Sequence, residues 1–303
     1  MKQLPMLEGQ SAVPSQFSMI KSAEDASINW IRPAEKGYQE ARFVRRVPDY
    51  IVVYLSAQSG CNQACRMCHL TATRQTRYVN TTPEDFCAQA DVVLKWYKEN
   101  EPVAETVHFN FMARGEPLDN PHFVAESHRI LSGLGEQALH LSLRPRFLIS
   151  TILPRSLGPK ELTDIFPIVQ PELYYSIYST NEEFRKRWLP QALPVDVALV
   201  KLTRWQQHSA KIPKIHYAFI EGQNDSVDDV RGVCEAILEH GLHVNVNVVR
   251  FNPASEAMGR EPSEDVILRN LEVFRQYFPR AQHQVIPRVG RDVYASCGMF
   301  VEG

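Results

Sequence analysis

From Tyr50 onward the chain switches, about every 30 residues, between two local patterns. Stretches rich in β-branched and aromatic residues, "YIVVYLSA", "TVHFNFM", "RFLIST", "ELYYSIYS", "KIHYAFI", "HVNVNVVRF" and "HQVIP", read as strands. Between them "TPEDFCAQADVVLKWYKEN", "NPHFVAESHRILSGLG", "GPKELTDIF", "DVALVKLTRWQQHSA", "VDDVRGVCEAILEHG" and "SEDVILRNLEVFRQYF" read as helices. Thr82 suits the cap of the first helix and Pro83 its first turn. Such alternation implies βαβ units around a parallel sheet, and about six units point to an α/β fold, a partial (β/α)6 TIM-like barrel. In such a barrel the chemistry lies at the C-terminal ends of the strands. Residues 1–48 are polar and irregular, with short strands around "INWIRP" and "EARFVRRV", and are expected to form an N-terminal extension to a core spanning 49–303.

The loop after the first strong strand contains "SGCNQACRMCHL", with Cys61, Cys65 and Cys68 within eight positions. Six cysteines in 303 residues are too few for a disulfide scaffold. No run of about 18 apolar residues suggests a membrane span, and "MKQLPMLEGQSAVPSQ" lacks a signal core, so a cytoplasmic location with reduced thiols is expected. Clustered thiols there point to a metal site or to catalysis. Three thiolates can hold three irons of a [4Fe–4S] cubane and leave the fourth iron open. His69 directly after the loop keeps zinc as an alternative. The net charge of −2 argues against a general nucleic-acid binder, but residues 36–77 hold seven Lys/Arg against two acids. That basic segment suits phosphates, with Arg74 and Arg77 beside the loop and Tyr78 placed to stack a base. A solvated charged surface explains the same charges.

C-x-x-x-C-x-x-C in this position resembles the radical S-adenosylmethionine (SAM) superfamily, although Met67 stands where an aromatic residue is usual before the last cysteine. Gly115-Glu116-Pro117, Ser150 in "LIST", Ser176 in "YYSIYS" and Asn252 in "VVRFNPAS" each end an expected strand, and "RVGRDVYASCGMF" brings Cys297. In this order the set resembles the RlmN/Cfr family of radical SAM RNA methyltransferases, from about residue 25 to 301. The resemblance implies that Cys61, Cys65 and Cys68 hold a [4Fe–4S] cluster. It implies that Gly115, Glu116, Ser150, Ser176 and Asn252 contact SAM, with Tyr178 where the family has a histidine. Cys297 matches the cysteine that is itself methylated, and Glu40 lies near the place of a family acid. The family's N-terminal helical accessory domain is expected to be missing or reduced to a stub. The implied substrate is ribosomal or transfer RNA, the implied electron donor a flavodoxin or ferredoxin, and the protein a monomer.

The chemistry explains the residue types. An adenine ring carbon is electrophilic, so direct methyl transfer from SAM fails. In the family, a cysteine thiolate first takes a methyl from one SAM. A second SAM yields the radical that activates this S-methyl group, and the resulting protein–RNA link is resolved by another cysteine seven residues before the first cluster cysteine. Here that position is Tyr54. Cys87 and Cys234 are the spare thiols, and both fall in amphipathic helices where a structural role is expected. Two other readings follow: a radical SAM enzyme with a different substrate or product, and a non-catalytic RNA-binding protein with a metal loop.

Overall fold

The computed structural model describes residues 16–301. The first 15 residues of the expected extension, and residues 302–303, lie outside the described residues. One ten-stranded sheet follows chain order. Its strands β1 (Ser18–Lys21), β2 (Ile28–Pro33), β3 (Tyr38–Val47) and β4 (Tyr50–Tyr54) run antiparallel to their neighbours. From β4 onward β5 (Thr106–Phe111), β6 (Arg144–Thr151), β7 (Glu172–Ser176), β8 (Lys214–Tyr217), β9 (Asn245–Val249) and β10 (His283–Ile286) continue parallel. Strands β2 and β3 are integral to this sheet, and their Trp30 and Phe43 lie in the main core. The sheet therefore runs unbroken across residue 48.

The helices are α1 (His69–Ala72), α2 (Pro83–Asn100), α3 (Pro121–Leu139), α4 (Leu162–Ile165), α5 (Glu182–Trp188), α6 (Val195–Ser209), α7 (Val227–Glu239) and α8 (Glu264–Tyr277). Helix α2 starts as its sequence dictates: the Thr82 hydroxyl accepts from the Asp85 amide at 3.2 Å and Pro83 occupies the first turn. The stretch "GPKELTDIF" makes only four helical residues, because Pro167 disfavours helical geometry at Phe166 and blocks continuation. Helix α5 was not apparent in the sequence pattern; Asn181 caps it, accepting from the Phe184 amide at 3.0 Å.

Strand periodicity decides what each face does. One set of side chains, including Val107, Phe109, Phe111, Ile215, Tyr217, Val246 and Val248, packs against the helices. Phe111 meets Phe86 of α2 and Phe123 of α3 at centroid distances of 5.4 and 4.9 Å, and each ring removed from water contributes about 1.5–3 kcal/mol. The alternate set, with Tyr54, Asn110, Tyr174, His216, Asn247 and Gln284, surrounds a cavity of about 230 Å³. Residues from β3 through β10 share this cavity, so the sheet curls into a barrel. Closure is incomplete: among the described residues β10 pairs with β9 alone.

Candidate active site

The cysteine loop leaves the top of β4 and is pinned by backbone hydrogen bonds to the ends of neighbouring segments. Leu55 donates to Asn110 at 2.8 Å, Ala57 to Arg114 at 2.7 Å and Cys61 to Gln75 at 3.1 Å. A Cβ on Gly60 would lie 2.6 Å from the Arg77 carbonyl, so only glycine lets the two chains close here. Cys68 closes the turn by donating to the Cys65 carbonyl at 3.0 Å, then leads into α1.

Burial and mutual repulsion push the thiols of Cys61 and Cys65 up, and burial raises Cys68 to about 11. Backbone N–H groups approach the sulfurs of Cys61 and Cys68, which favours their anionic forms. Three buried thiolates coexist only with positive charge among them, and an iron–sulfur cluster supplies it. The His69 ring sits within hydrogen-bonding distance (3.2 Å) of the Asn252 carbonyl, so it serves the neighbouring loop. The donor chemistry of Cys61, Cys65 and Cys68 suits three-cysteine ligation of a cluster, and these are the residues that would hold it; among the described residues no three ligating side chains are drawn around one point in this structure.

The Gly-Glu-Pro turn stands beside this loop. Gly115 adopts φ +88°, and a Cβ there would meet Gln58 atoms at 2.6 and 2.7 Å. Gln58 accepts the Glu116 amide at 3.1 Å. The Glu116 carboxylate takes the amides of Leu118 and Ile152, both at 3.1 Å, and burial lifts its pKa to about 7. Gly115→Ala is therefore expected to cost about 2–4 kcal/mol through strain and overpacking, checked by urea unfolding; a loss under about 1 kcal/mol would show that the turn relaxes.

A smaller cavity beside the cysteine loop, of about 130 Å³, brings together Cys65, Cys68, Ser176, Tyr178, Asn252 and Cys297. Tyr178 is buried at φ +54° and hydrogen-bonds Ser176. Ser150 lies apart, with its hydroxyl 3.5 Å from the His216 ring. Asn252 acts as a clasp: its amide donates to the Cys297 carbonyl at 3.0 Å and its oxygen accepts from Arg288 at 2.9 Å. The His69 amide donates to the Gly298 carbonyl at 3.1 Å, tying the Cys297 turn directly to the cysteine loop.

Cys297 lines both cavities and is open to them. Surrounding protein pushes its thiol up by burial, while the Arg42 guanidinium pulls in the opposite direction. Tyr54 lines the larger cavity with it, and its hydroxyl accepts from Arg46 at 3.3 Å. Cys87 instead faces Gly133 of α3, and Cys234 lies in the main core. Tyr78 donates to Asp119 at 3.2 Å, whereas Arg74 and Arg77 are exposed.

Glu40 is fully buried and its carboxylate is filled. One oxygen accepts from Arg114 at 2.7 Å and from the Val301 amide at 3.0 Å; the other accepts from Arg42 at 2.6 Å and Asn29 at 3.0 Å. Arg42 also donates to the Met299 carbonyl at 2.8 Å, and Arg114 to that of Val301 at 2.6 Å. This hub fastens the segment carrying Cys297 to the first strands. Arg42, Arg114, Asn29 and Arg288 were not singled out from the sequence; the nearest signals were the alternation Glu40-x-Arg42 and the arginine before the Gly-Glu-Pro turn.

No family model matches the chain. Dual-specificity RNA methyltransferase RlmN of Geobacter sulfurreducens is 30% identical over 250 residues, 81% of this chain and 63% of that protein. Ribosomal RNA large subunit methyltransferase Cfr of Lachnoclostridium phytofermentans is 27% identical, over 82% of this chain and 69% of its own length. Over most of its length this chain is similar to the RlmN and Cfr RNA methyltransferases. A solved radical SAM methyltransferase from Sphaerobacter thermophilus has the same fold, with a TM-score of 0.75 and 20% identity over 95% of this chain and 81% of that one. The chain spans under two thirds of the length of the first RlmN relatives it matches. Enzymes of the RlmN/Cfr type use a [4Fe–4S] cluster and SAM, the pair whose cluster ligands were expected at Cys61, Cys65 and Cys68.

Proposed function

We propose that the chain is a radical SAM methyltransferase that methylates a ring carbon of an adenosine in ribosomal or transfer RNA by way of Cys297. The placement of Cys297 carries this reading: one thiol faces both the cavity beside the cysteine loop and the barrel lumen. Bound at the first cavity, the cluster and SAM would supply a methyl group and a hydrogen-abstracting radical. The chain's residues do the rest. Ser176 and Asn252 border the first cavity, Gly115 and Glu116 shape the adjoining turn, and the Arg42 guanidinium offsets part of the burial that raises the Cys297 thiol. Asn252 and the Glu40 hub hold the thiol in place. The exposed Arg74 and Arg77 suit RNA phosphates. Among the described residues no helix is long and apolar enough to cross a membrane. A cytoplasmic monomer reduced by a flavodoxin or ferredoxin completes the reading.

The reconstituted protein, incubated anaerobically with SAM, reductant and total RNA, should yield methyl-adenosine and a methylated Cys297 peptide by mass spectrometry. SAM cleavage with Cys297 unmodified would refute the reading.

One observation favours a second reading, a different product. Of the six cysteines, Cys297 alone lines the lumen; Cys87 and Cys234 pack elsewhere. A cysteine–RNA link would then persist for want of a second thiol. Tyr54→Cys places a thiol in the same cavity, and is expected to lower the adduct fraction on Cys297 at least threefold by mass spectrometry, roughly the span of a modest rate gain. An unchanged adduct fraction would show that position 54 plays no part in release.

A further inference from the structure

The interior of this barrel is not a packed core. Closed barrels of this kind fill their centre with branched apolar side chains. Here the inward positions are occupied by Tyr54, His108, Asn110 and His216 around about 230 Å³ of space. Buried polar groups in a folded protein are normally hydrogen-bonded, and an exception calls for a cause. Two exceptions lie in this wall. The Asn110 side-chain oxygen is buried without a hydrogen-bond partner, on a residue only 6% exposed. The Arg46 Nε is likewise buried and unpartnered.

The charges of the wall are also unequal. Arg42 is paired with Glu40, Arg250 with Glu264, and Arg288 with Glu261. Lys214 shares Glu172 with Arg146. Arg46 has no carboxylate partner among the described residues; its side chain hydrogen-bonds the phenols of Tyr54, at 3.3 Å, and Tyr50. It stands on β3 beside the β3–β4 hairpin, next to the start of β4, and lines the cavity there. A ligand in this cavity meets a guanidinium without a carboxylate and a carboxamide with an unpartnered oxygen, and the Cys297 thiol lines the same space.

We propose that the lumen is a nucleotide-binding pocket in which Arg46 holds a phosphate and Asn110 reads the edge of an adenine. The assignment rests on the methyltransferase reading and adds the pocket and the two selecting residues. A carboxamide offers one acceptor and one donor, matching the amino group and adjacent ring nitrogen of adenine; guanine presents two acceptors there and leaves the Asn110 oxygen unpaired. A guanidinium matches phosphate in charge and in its planar array of donors. The two imidazoles suit an uncharged base: burial lowers His108 to about 4 and His216 to about 3, so both are neutral near pH 7.

The test uses the cluster-loaded protein saturated with S-adenosylhomocysteine, so that the SAM site is blocked and no turnover occurs. Binding of 5′-AMP, adenosine, 5′-GMP and the trinucleotide U-A-U is measured by calorimetry. AMP is expected to bind about ten-fold more tightly than adenosine and than GMP. Arg46→Gln should abolish the first preference and keep the second; Asn110→Leu should do the reverse. Circular dichroism and cluster absorbance confirm that each variant is folded. Absence of saturable AMP binding, or unchanged preferences in both variants, overturns the assignment. If U-A-U binds more tightly than AMP, the pocket receives a nucleotide within RNA. If AMP binds more tightly, the pocket stands and the RNA methyltransferase reading fails. Methylated RNA formed equally well by both variants would retain that reading and remove the pocket.

Discussion

Glu40→Gln is expected to lower the free energy of unfolding by about 3–5 kcal/mol, because it strips the counter-charge from two guanidiniums that lie almost entirely out of water. Arg114 and Glu40 have no exposed side-chain surface, and Arg42 has 2%. The replacement keeps the size of the side chain, so the loss reports charge and hydrogen bonding rather than a cavity. Urea unfolding of the two proteins measures it; a difference below about 1 kcal/mol would mean that water or a rearranged partner compensates the arginines. The pH dependence has a fixed sign. Burial alone raises the Glu40 pKa, but Arg42 and Arg114 outweigh it, and the net value falls below the ordinary 4.5. The hub therefore contributes fully above that value and fades as pH falls through the lowered folded value, so wild type should lose stability in acid and Glu40→Gln should not lose this contribution.

The second large effect concerns Cys297. Replacing it with alanine should reduce methylated RNA by more than about 10³-fold, the scale expected when a covalent nucleophile is removed. SAM should still be cleaved on reduction, since Cys61, Cys65 and Cys68 are untouched and the exchanged side chain is small. Mass spectrometry of RNA nucleosides and chromatography of the SAM products read the two outcomes from one reaction. Methyl-adenosine at the wild-type level would remove Cys297 from the chemistry. Loss of both activities would instead assign the thiol to the architecture of the first cavity.

Much of this architecture was legible in local pattern. The parallel strands and long helices emerged where residue type and spacing agree over a dozen positions, as in α2 with its Thr82 cap. The cysteine loop was legible because its three side chains are close in sequence. Glu40 was found only as an acid in an approximate place; that it is a saturated hub depends on Val301, which is 261 positions away and invisible to any window. Asn252 was read as a cofactor contact, and its clasp on the Cys297 carbonyl spans 45 positions. The polar lumen left a trace that was passed over. In "TVHFNF" and "KIHY" every second residue is apolar, and the residues between are polar although the strand is buried on both faces. A strand covered on both faces is ordinarily apolar throughout, so polar residues in that pattern already indicate a wet interior.

The fastening of the Cys297 segment to β3 also bears on how the protein is made. Synthesis runs from the N-terminus, and Glu40, Arg42 and Arg114 leave the ribosome well before Met299 and Val301, whose backbone groups complete their hydrogen bonds. Until those residues emerge, Glu40 and its two arginines have one another but lack these backbone partners. Cys297 thus arrives in the same stretch that completes the hub. A nascent chain stopped before residue 297 would therefore lack both the backbone partners of this hub and the thiol proposed above to react.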